Sequence, residues 1–510
     1  MLASRYVQQA FGQGNAQTPL LVGRDLSDVV SLDPHRAYEY SFLLTDQGCY
    51  DTLVGFEHND FSRFVPRLAT SWRVSTDAKK LTFKLRPGVK FASGNSLSAD
   101  VFKWSLERLQ GIQGNPSYLM DPVESVDAPD DATLVINLKE PDVTFLTALG
   151  APFFVPVDRE LLKQNGGTND SKDAAGVWLT QHSAGTGSYM IAAFKQDDRL
   201  EMQTNPNAWT PPRLGRMLVR HFGESAALRL ALERADIDLI AGGLPSDELR
   251  QLQSKPHVRV AQAASFSIFY VGWTQDPSMN KALANPKVSQ AIKVGMNYDS
   301  YKRLFPGAVR PASQVALGLP GALPESAGYH YDPQRARQLL KEAGYPNGFE
   351  LPISTQTGTY LGYSYSLLAQ KVQEDLAKIG VKGRLDIEEA SIHLKKMRAG
   401  EKQFIVQVFW PDYPDALNMI DFFSPAGPWG KRSRGWKDDQ LVALITKARA
   451  TVDTPQRLDV YRQAEHILMA RSPHAVLFQV PEAIPFRDNL TNVYADLLTL
   501  IKPQTIGRQG

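Results

Sequence analysis

Apolar and polar positions along the chain follow two rhythms, and the way they alternate sets the expected elements. From 218 to 262 a strand–helix order begins with Leu218–Phe222, which reads as a strand. Ser225 is placed to cap a helix carrying Leu228, Ala231, Leu232 and Ala235 on one face. Residues 237–240 read as a second strand, Ser246 starts another helix, and Val258–Val260 closes the unit. From 332 the same order returns more clearly. Asp332-Pro333 is a cap followed by proline at the first helical position, before Ala336, Leu339, Leu340 and Ala343 at helical spacing. Gly344 and Pro346 stop that helix, and Phe349, Leu351 and Ile353 alternate as a strand. Leu368, Val372, Leu376 and Ile379 mark a helix ended by Gly380, and 381–387 is a strand with Leu385 and Ile387 alternating. Residues 391–399 form a short helix, and 404–409 is a nearly unbroken apolar strand, as expected where both faces are covered.

Strands alternating with helices imply parallel sheets, and two such units imply two α/β lobes. The stretch 51–184 differs. Residues 81–85 and 134–138 alternate with period two, Pro87-Gly88 and 127–130 supply turns, and Ser98 caps a helix with Phe102, Leu106 and Leu109 on one face. This reads as an α+β subdomain.

Composition adds bounds. A chain of 510 residues is long for one domain, and 43% hydrophobic with 22% charged residues is ordinary for a globular protein with full cores. The 56 basic and 54 acidic residues nearly cancel, with no basic run, so no nucleic-acid partner is expected. No apolar stretch is long enough to span a membrane as a helix. The single cysteine, Cys49, excludes an intrachain disulfide. At the N-terminus, Gly14-Asn15-Ala16 has the small residues of a signal-peptidase site before Gln17, but 1–11 lacks an apolar core. Residues 1–16 are therefore read as a tail or a signal remnant.

Ligands of open parallel sheets bind beyond the carboxyl ends of the strands. After the 404–409 strand comes Trp410-Pro411-Asp412-Tyr413-Pro414-Asp415, two aromatic surfaces and two carboxylates on a stiff backbone. This suits a cationic or amine-bearing small molecule; the plainer alternative is a proline-rich turn with solvated aspartates. Tyr38-Glu39-Tyr40 is a second candidate, weaker because exposed Tyr and Glu are common. Trp429 and Trp436 fit loop packing better than a cleft lining. The chain has no His-Glu-x-x-His, no Cys-x-x-Cys, no Gly-x-x-x-x-Gly-Lys and no Gly-x-Ser-x-Gly. The nearest pair of histidines, His466 and His474, reads as structural. No catalytic residue, cofactor or metal site is expected.

Ordered motifs carry a family resemblance from about 20 to 500: Leu32-Asp33-Pro34; Tyr50 to Val54; Pro66 to Trp72; Leu81 to Gly94; Ser98 to Val101; Gly185 to Tyr189; Ala231-Leu232-Glu233 with Asp236-Ile237-Asp238; Leu339 to Gly348; and the 410–415 segment. With these the chain resembles the family 5 extracellular solute-binding proteins, the dipeptide, oligopeptide and nickel receptors of ABC importers. The resemblance implies an α/β, two-lobed periplasmic-binding-protein fold of type II, with an extra α+β subdomain in the first lobe. The first lobe would hold 17–50, 185–267 and 484–510, with 51–184 inserted, and the second 268–483. Crossover segments near 265–270 and 480–485 would form a hinge that closes over ligand. The implied protein is periplasmic and monomeric, and hands its solute to permease subunits in the inner membrane.

By the same resemblance, Asp412 would take a peptide's α-amino group and 37–40 would give backbone contacts. Two departures stand out. Ser188 replaces the usual proline of Gly-Thr-Gly-Pro-Tyr, and 363–366 lacks the arginine that some dipeptide binders use for the ligand carboxylate. A longer peptide or an amino-acid conjugate then fits better than a free dipeptide. A sugar, an opine or a metal chelate is the alternative ligand, and a sensor or chaperone feeding no transporter is an alternative role. From another class, a hydrolase would use Asp412 and Asp415 as acid and base. Against it, both stand on one loop with nothing to separate their pKa values.

Overall fold

The computed structural model describes residues 18–39, 42–57, 60–305, 307–495 and 501–509. The chain divides into two units, Met1–Ala263 with Ala483–Gly510, and Ala264–Glu482. It passes from one to the other inside two long strands, Val258–Trp273 and His474–Arg487. The stretch 258–260, expected to end a unit, is thus the start of a 16-residue strand.

In the first unit, Leu20–Arg24 lies parallel to both Arg216–His221 and Leu239–Ile240. Arg199–Thr204 and Tyr189–Lys195 then add antiparallel. The sheet is mixed rather than purely parallel because 189–204 is a tight hairpin, and a hairpin can only pair antiparallel. Leu20, Val22, Met217, Val219 and Leu239 are fully buried in its core. The helix Ser225–Glu233 buries Leu228, Ala231 and Leu232. Ser225, expected as its cap, is its first helical residue, and Ala235 lies past its end at φ +59°. The α+β portion holds a four-stranded antiparallel sheet in the order Ala69–Val74, Lys80–Leu85, Thr133–Leu138, Val123–Asp130. Its helix Ala99–Gly111 is capped by Ser98, whose hydroxyl accepts from the Val101 N–H at 3.3 Å.

In the second unit, Glu350–Gln356 runs parallel to Lys382–Glu388 and to Phe404–Phe409. Phe404–Phe409 pairs on its other side, antiparallel, with residues 268–273. Asp332 caps Pro333–Glu342 by accepting from the Arg335 N–H at 2.8 Å. Gly344 and Gly380 end their helices at φ +91° and +94°, where a side chain would be strained. Lys382–Glu388 is an edge strand, and its alternating pair is not core: Leu385 is half-buried and Ile387 is 37% exposed. The next helix, Ala390–Arg398, is capped by Glu389, which accepts from Ser391 and Ile392.

Candidate functional site

Phe404–Phe409 is flanked on both sides by other strands and buried at five of its six positions. A strand so enclosed cannot slip without moving its whole apolar set, so the segment that follows is delivered to a fixed place. That segment is no solvated turn: residues 411–414 are all buried, with Asp412 only 3% exposed.

Asn418 holds Asp412 at two points. The Asp412 N–H donates to Asn418 Oδ1 at 2.9 Å, and Asn418 Nδ2 donates to Asp412 Oδ2 at 3.3 Å. The Trp410 ring stacks on Tyr360, centroids 6.1 Å apart and planes within 13°. Tyr360 also meets Phe269 edge-on and shares a 2.8 Å hydrogen bond between its hydroxyl and that of Ser267. Tyr413 is buried beside them in sequence.

Asp415 does a different job. It caps the helix Ala416–Phe422, accepting from the Leu417 N–H at 2.8 Å, and accepts the Tyr461 hydroxyl at 2.8 Å. Its carboxylate is engaged in holding structure, whereas Asp412 is held by structure. Asn418 and Tyr360 did not emerge from the sequence. The signal for Asn418 was there: an aspartate directly before an apolar helical run marks a cap, and Asn418 stands three residues on. Tyr360 sits in a two-residue strand, Thr359–Tyr360, too short for any periodicity to flag it.

Tyr38 and Glu39 belong to the first unit, and Tyr40 lies outside the described residues. The Tyr38 ring stacks on Phe153 at 5.4 Å and its hydroxyl meets that of Tyr118 at 3.1 Å. Glu39 accepts from the Tyr38 N–H at 3.0 Å. Just before them, Arg108 is clamped by two carboxylates. Its guanidinium donates to Asp33 at 2.9 and 2.6 Å and to Asp173 at 3.0 and 2.9 Å, and all three side chains are fully buried. Burial opposes charge on Asp33, but the adjacent guanidinium outweighs it and holds the carboxyl below its ordinary range. Burial, reinforced by the Arg108 charge, pushes the neighbouring His35 down to about 4. The Leu-Asp-Pro motif thus ties 33–39 to the α+β portion.

Trp429 and Trp436 are core residues. Both rings pack edge-on against the fully buried His474, which burial holds far below its ordinary pKa. Cys49 is buried, its thiol pushed up to about 12 by burial, which leaves it unreactive. Among the described residues no group of three His, Cys, Asp or Glu side chains is placed to hold a metal ion, and no helix is long and apolar enough to cross a membrane.

Comparison with known proteins fits this architecture. Residues 63–431 match the family described as bacterial extracellular solute-binding proteins, family 5. The glutathione-binding protein GsiB of Pectobacterium atrosepticum is 28% identical over 470 residues, covering 88% of this chain and 86% of that protein. The probable D,D-dipeptide-binding periplasmic protein DdpA of Escherichia coli is 28% identical over 426 residues, covering 81% and 78%. The structure of the periplasmic binding protein DppA of Helicobacter pylori, in complex with the peptide STSA, superposes with a TM-score of 0.84 at 26% identity, over 97% of this chain and 98% of that one. Fold and sequence define a periplasmic-binding-protein architecture of the kind that captures solutes for import. The chain belongs to the family 5 bacterial extracellular solute-binding proteins.

Proposed function

We propose that this protein captures a peptide-like solute bearing a free amine and delivers it to an ABC permease, with Asp412 as the amine's anchor. One observation carries the reading: a carboxylate 3% exposed, gripped by Asn418, at the end of an enclosed strand. A carboxylate held in this way can accept charge-assisted hydrogen bonds from an ammonium group. Trp410 and Tyr413 flank it in sequence and offer apolar surface to side chains next to the amine. Relatives named for glutathione, D,D-dipeptides and dipeptides support a peptide-like ligand. The first unit's share is assigned, by family resemblance, to the main chain around Tyr38, Glu39 and Tyr40. The protein acts in the periplasm as a monomer, with no nucleic-acid partner.

We propose no catalytic turnover. A hydrolase would need Asp415 to exchange protons with substrate, but that carboxylate caps a helix and accepts from Tyr461. Asp415 supports the site through the cap it gives the helix that carries Asn418.

The test is capture from a mixture of Ala-Xaa-Ala tripeptides, offered with free or acetylated N-termini, with bound species read by mass spectrometry. Free-amine peptides should be retained and acetylated ones lost. Calorimetry with the best-held peptide should then show Asp412→Ala losing about 3–5 kcal/mol, enough to abolish detectable binding of a micromolar ligand at about −8 kcal/mol. Asp412→Asn should lose less, since one hydrogen bond survives. Equal retention of acetylated peptides, or parent-like binding by Asp412→Ala, would remove the anchor assignment.

A further inference from the structure

Asn418 is 6% exposed and makes two contacts of opposite polarity to one residue. Its amide orientation is chemically determined: the Asp412 N–H can only donate, so Oδ1 must face it, and a carboxylate can only accept, so Nδ2 must face that. Among side chains of this length only asparagine carries an acceptor and a donor on one planar carbon. Aspartate has no donor when ionised, and leucine has neither group.

The mount behind Asn418 is equally specific. Asn418 lies in the first turn of Ala416–Phe422, and its own N–H donates to the Asp415 carbonyl at 3.1 Å. Asp415 caps that turn and is fastened by Tyr461, from the 18-residue helix Thr454–Arg471. A chain of hydrogen bonds therefore runs from a long, packed helix through Tyr461, Asp415 and Asn418 to the carboxylate of Asp412. A carboxylate held before the ligand arrives loses less freedom on binding than one that must be ordered by it.

We infer that Asn418 is a positioning residue for ligand recognition, fixing the Asp412 carboxylate in place so that it is aimed at the incoming ammonium group. This rests on Asp412 being the anchor.

The experiment compares the parent with Asn418→Leu, Asn418→Asp and Asp412→Ala. The probe is the free-amine Ala-Xaa-Ala tripeptide the parent holds best, measured by calorimetry from about pH 5 to 7, below the range in which a peptide's α-amino group loses its proton. Asn418→Leu should weaken binding about tenfold to a hundredfold, the loss of one hydrogen bond to a charged group. Asn418→Asp keeps the shape and the acceptor but sets a second carboxylate beside the first, and such a pair shares a proton. Ammonium binding would displace that proton, so affinity should climb with pH by up to about tenfold per unit, while the parent stays flat. This pH profile survives as a test even if Asn418→Leu folds poorly, and a purely structural role for Asn418 would not produce it. Parent-like affinity in Asn418→Leu, or a flat profile in Asn418→Asp, with Asp412→Ala still defective, overturns the inference alone. Parent-like binding by Asp412→Ala, or no binding of any probe by the parent, overturns the anchor and the inference together.

Discussion

Asp412 and Asp415 stand three residues apart on one turn, and what separates them is the environment each was folded into. One faces a donor–acceptor grip from Asn418; the other fills the cap of a helix and the reach of a tyrosine. The residue pattern alone marked both as carboxylates at a strand end, and only the family resemblance singled out Asp412; the bond that fastens Asp415 comes from Tyr461, 46 positions away. A third carboxylate, Glu465, shows the same dependence. It is fully buried in the helix Thr454–Arg471, accepting from Ser313 and from the Leu323 N–H at 3.3 Å, while its other oxygen has no hydrogen-bond partner. Burial pushes its pKa up to about 7, against the pull of the Ser313 hydrogen bond. A carboxyl raised in the folded state adds stability that is full below its unfolded value near 4.5 and lost as pH rises through about 7. Glu465→Gln keeps the oxygen that accepts from Ser313 and Leu323 and removes the charge that burial penalises. It should therefore stabilise the protein at pH 8 by about 3 kcal/mol and change little at pH 4. Thermal unfolding at the two pH values checks this, and equal effects at both would contradict it.

The elements that sequence predicted best are those whose signal is local. The cap at Asp332, the glycine stops at 344 and 380, the period-two strands 81–85 and 134–138, and the apolar 404–409 run all lie where neighbouring residues alone decide the conformation. What local signals miss is set by distant partners. Nothing near Val258 announces that its strand continues to Trp273, since the continuation is fixed by pairing of 268–273 with a strand over 130 residues downstream. Leu385 and Ile387 alternate like core residues yet lie on an edge strand, because the sheet ends there. The Arg108 clamp is likewise invisible locally, joining Asp33, the helix Ala99–Gly111 and Asp173 across the first unit. Breaking it leaves two buried carboxylates with only the half-exposed Arg36, 3.5 Å from Asp33 and 3.0 Å from Asp173, as a cation, so Arg108→Met should destabilise the first unit by about 3 kcal/mol. A urea unfolding midpoint unchanged from the parent would refute the clamp's structural weight.

The molecule comprises two units joined by two long strands that the chain threads between them, and it belongs to a family that captures extracellular solutes. Overall class was legible because many weak motifs occur in order along the chain; ligand identity was not, because it rests on a few side chains whose partners are distant in sequence. Missing basic character at 363–366 argues for a ligand whose carboxylate is held elsewhere or masked. The central claim is that an amine-bearing, peptide-like solute is held by Asp412, and the most direct measurement is mass spectrometry of whatever the purified protein releases on denaturation, for the parent and for Asp412→Ala prepared side by side. The account predicts a peptide-like compound with a free primary amine from the parent, and its absence from Asp412→Ala. A bound compound lacking an amine, or the same compound retained in full by Asp412→Ala, would contradict it.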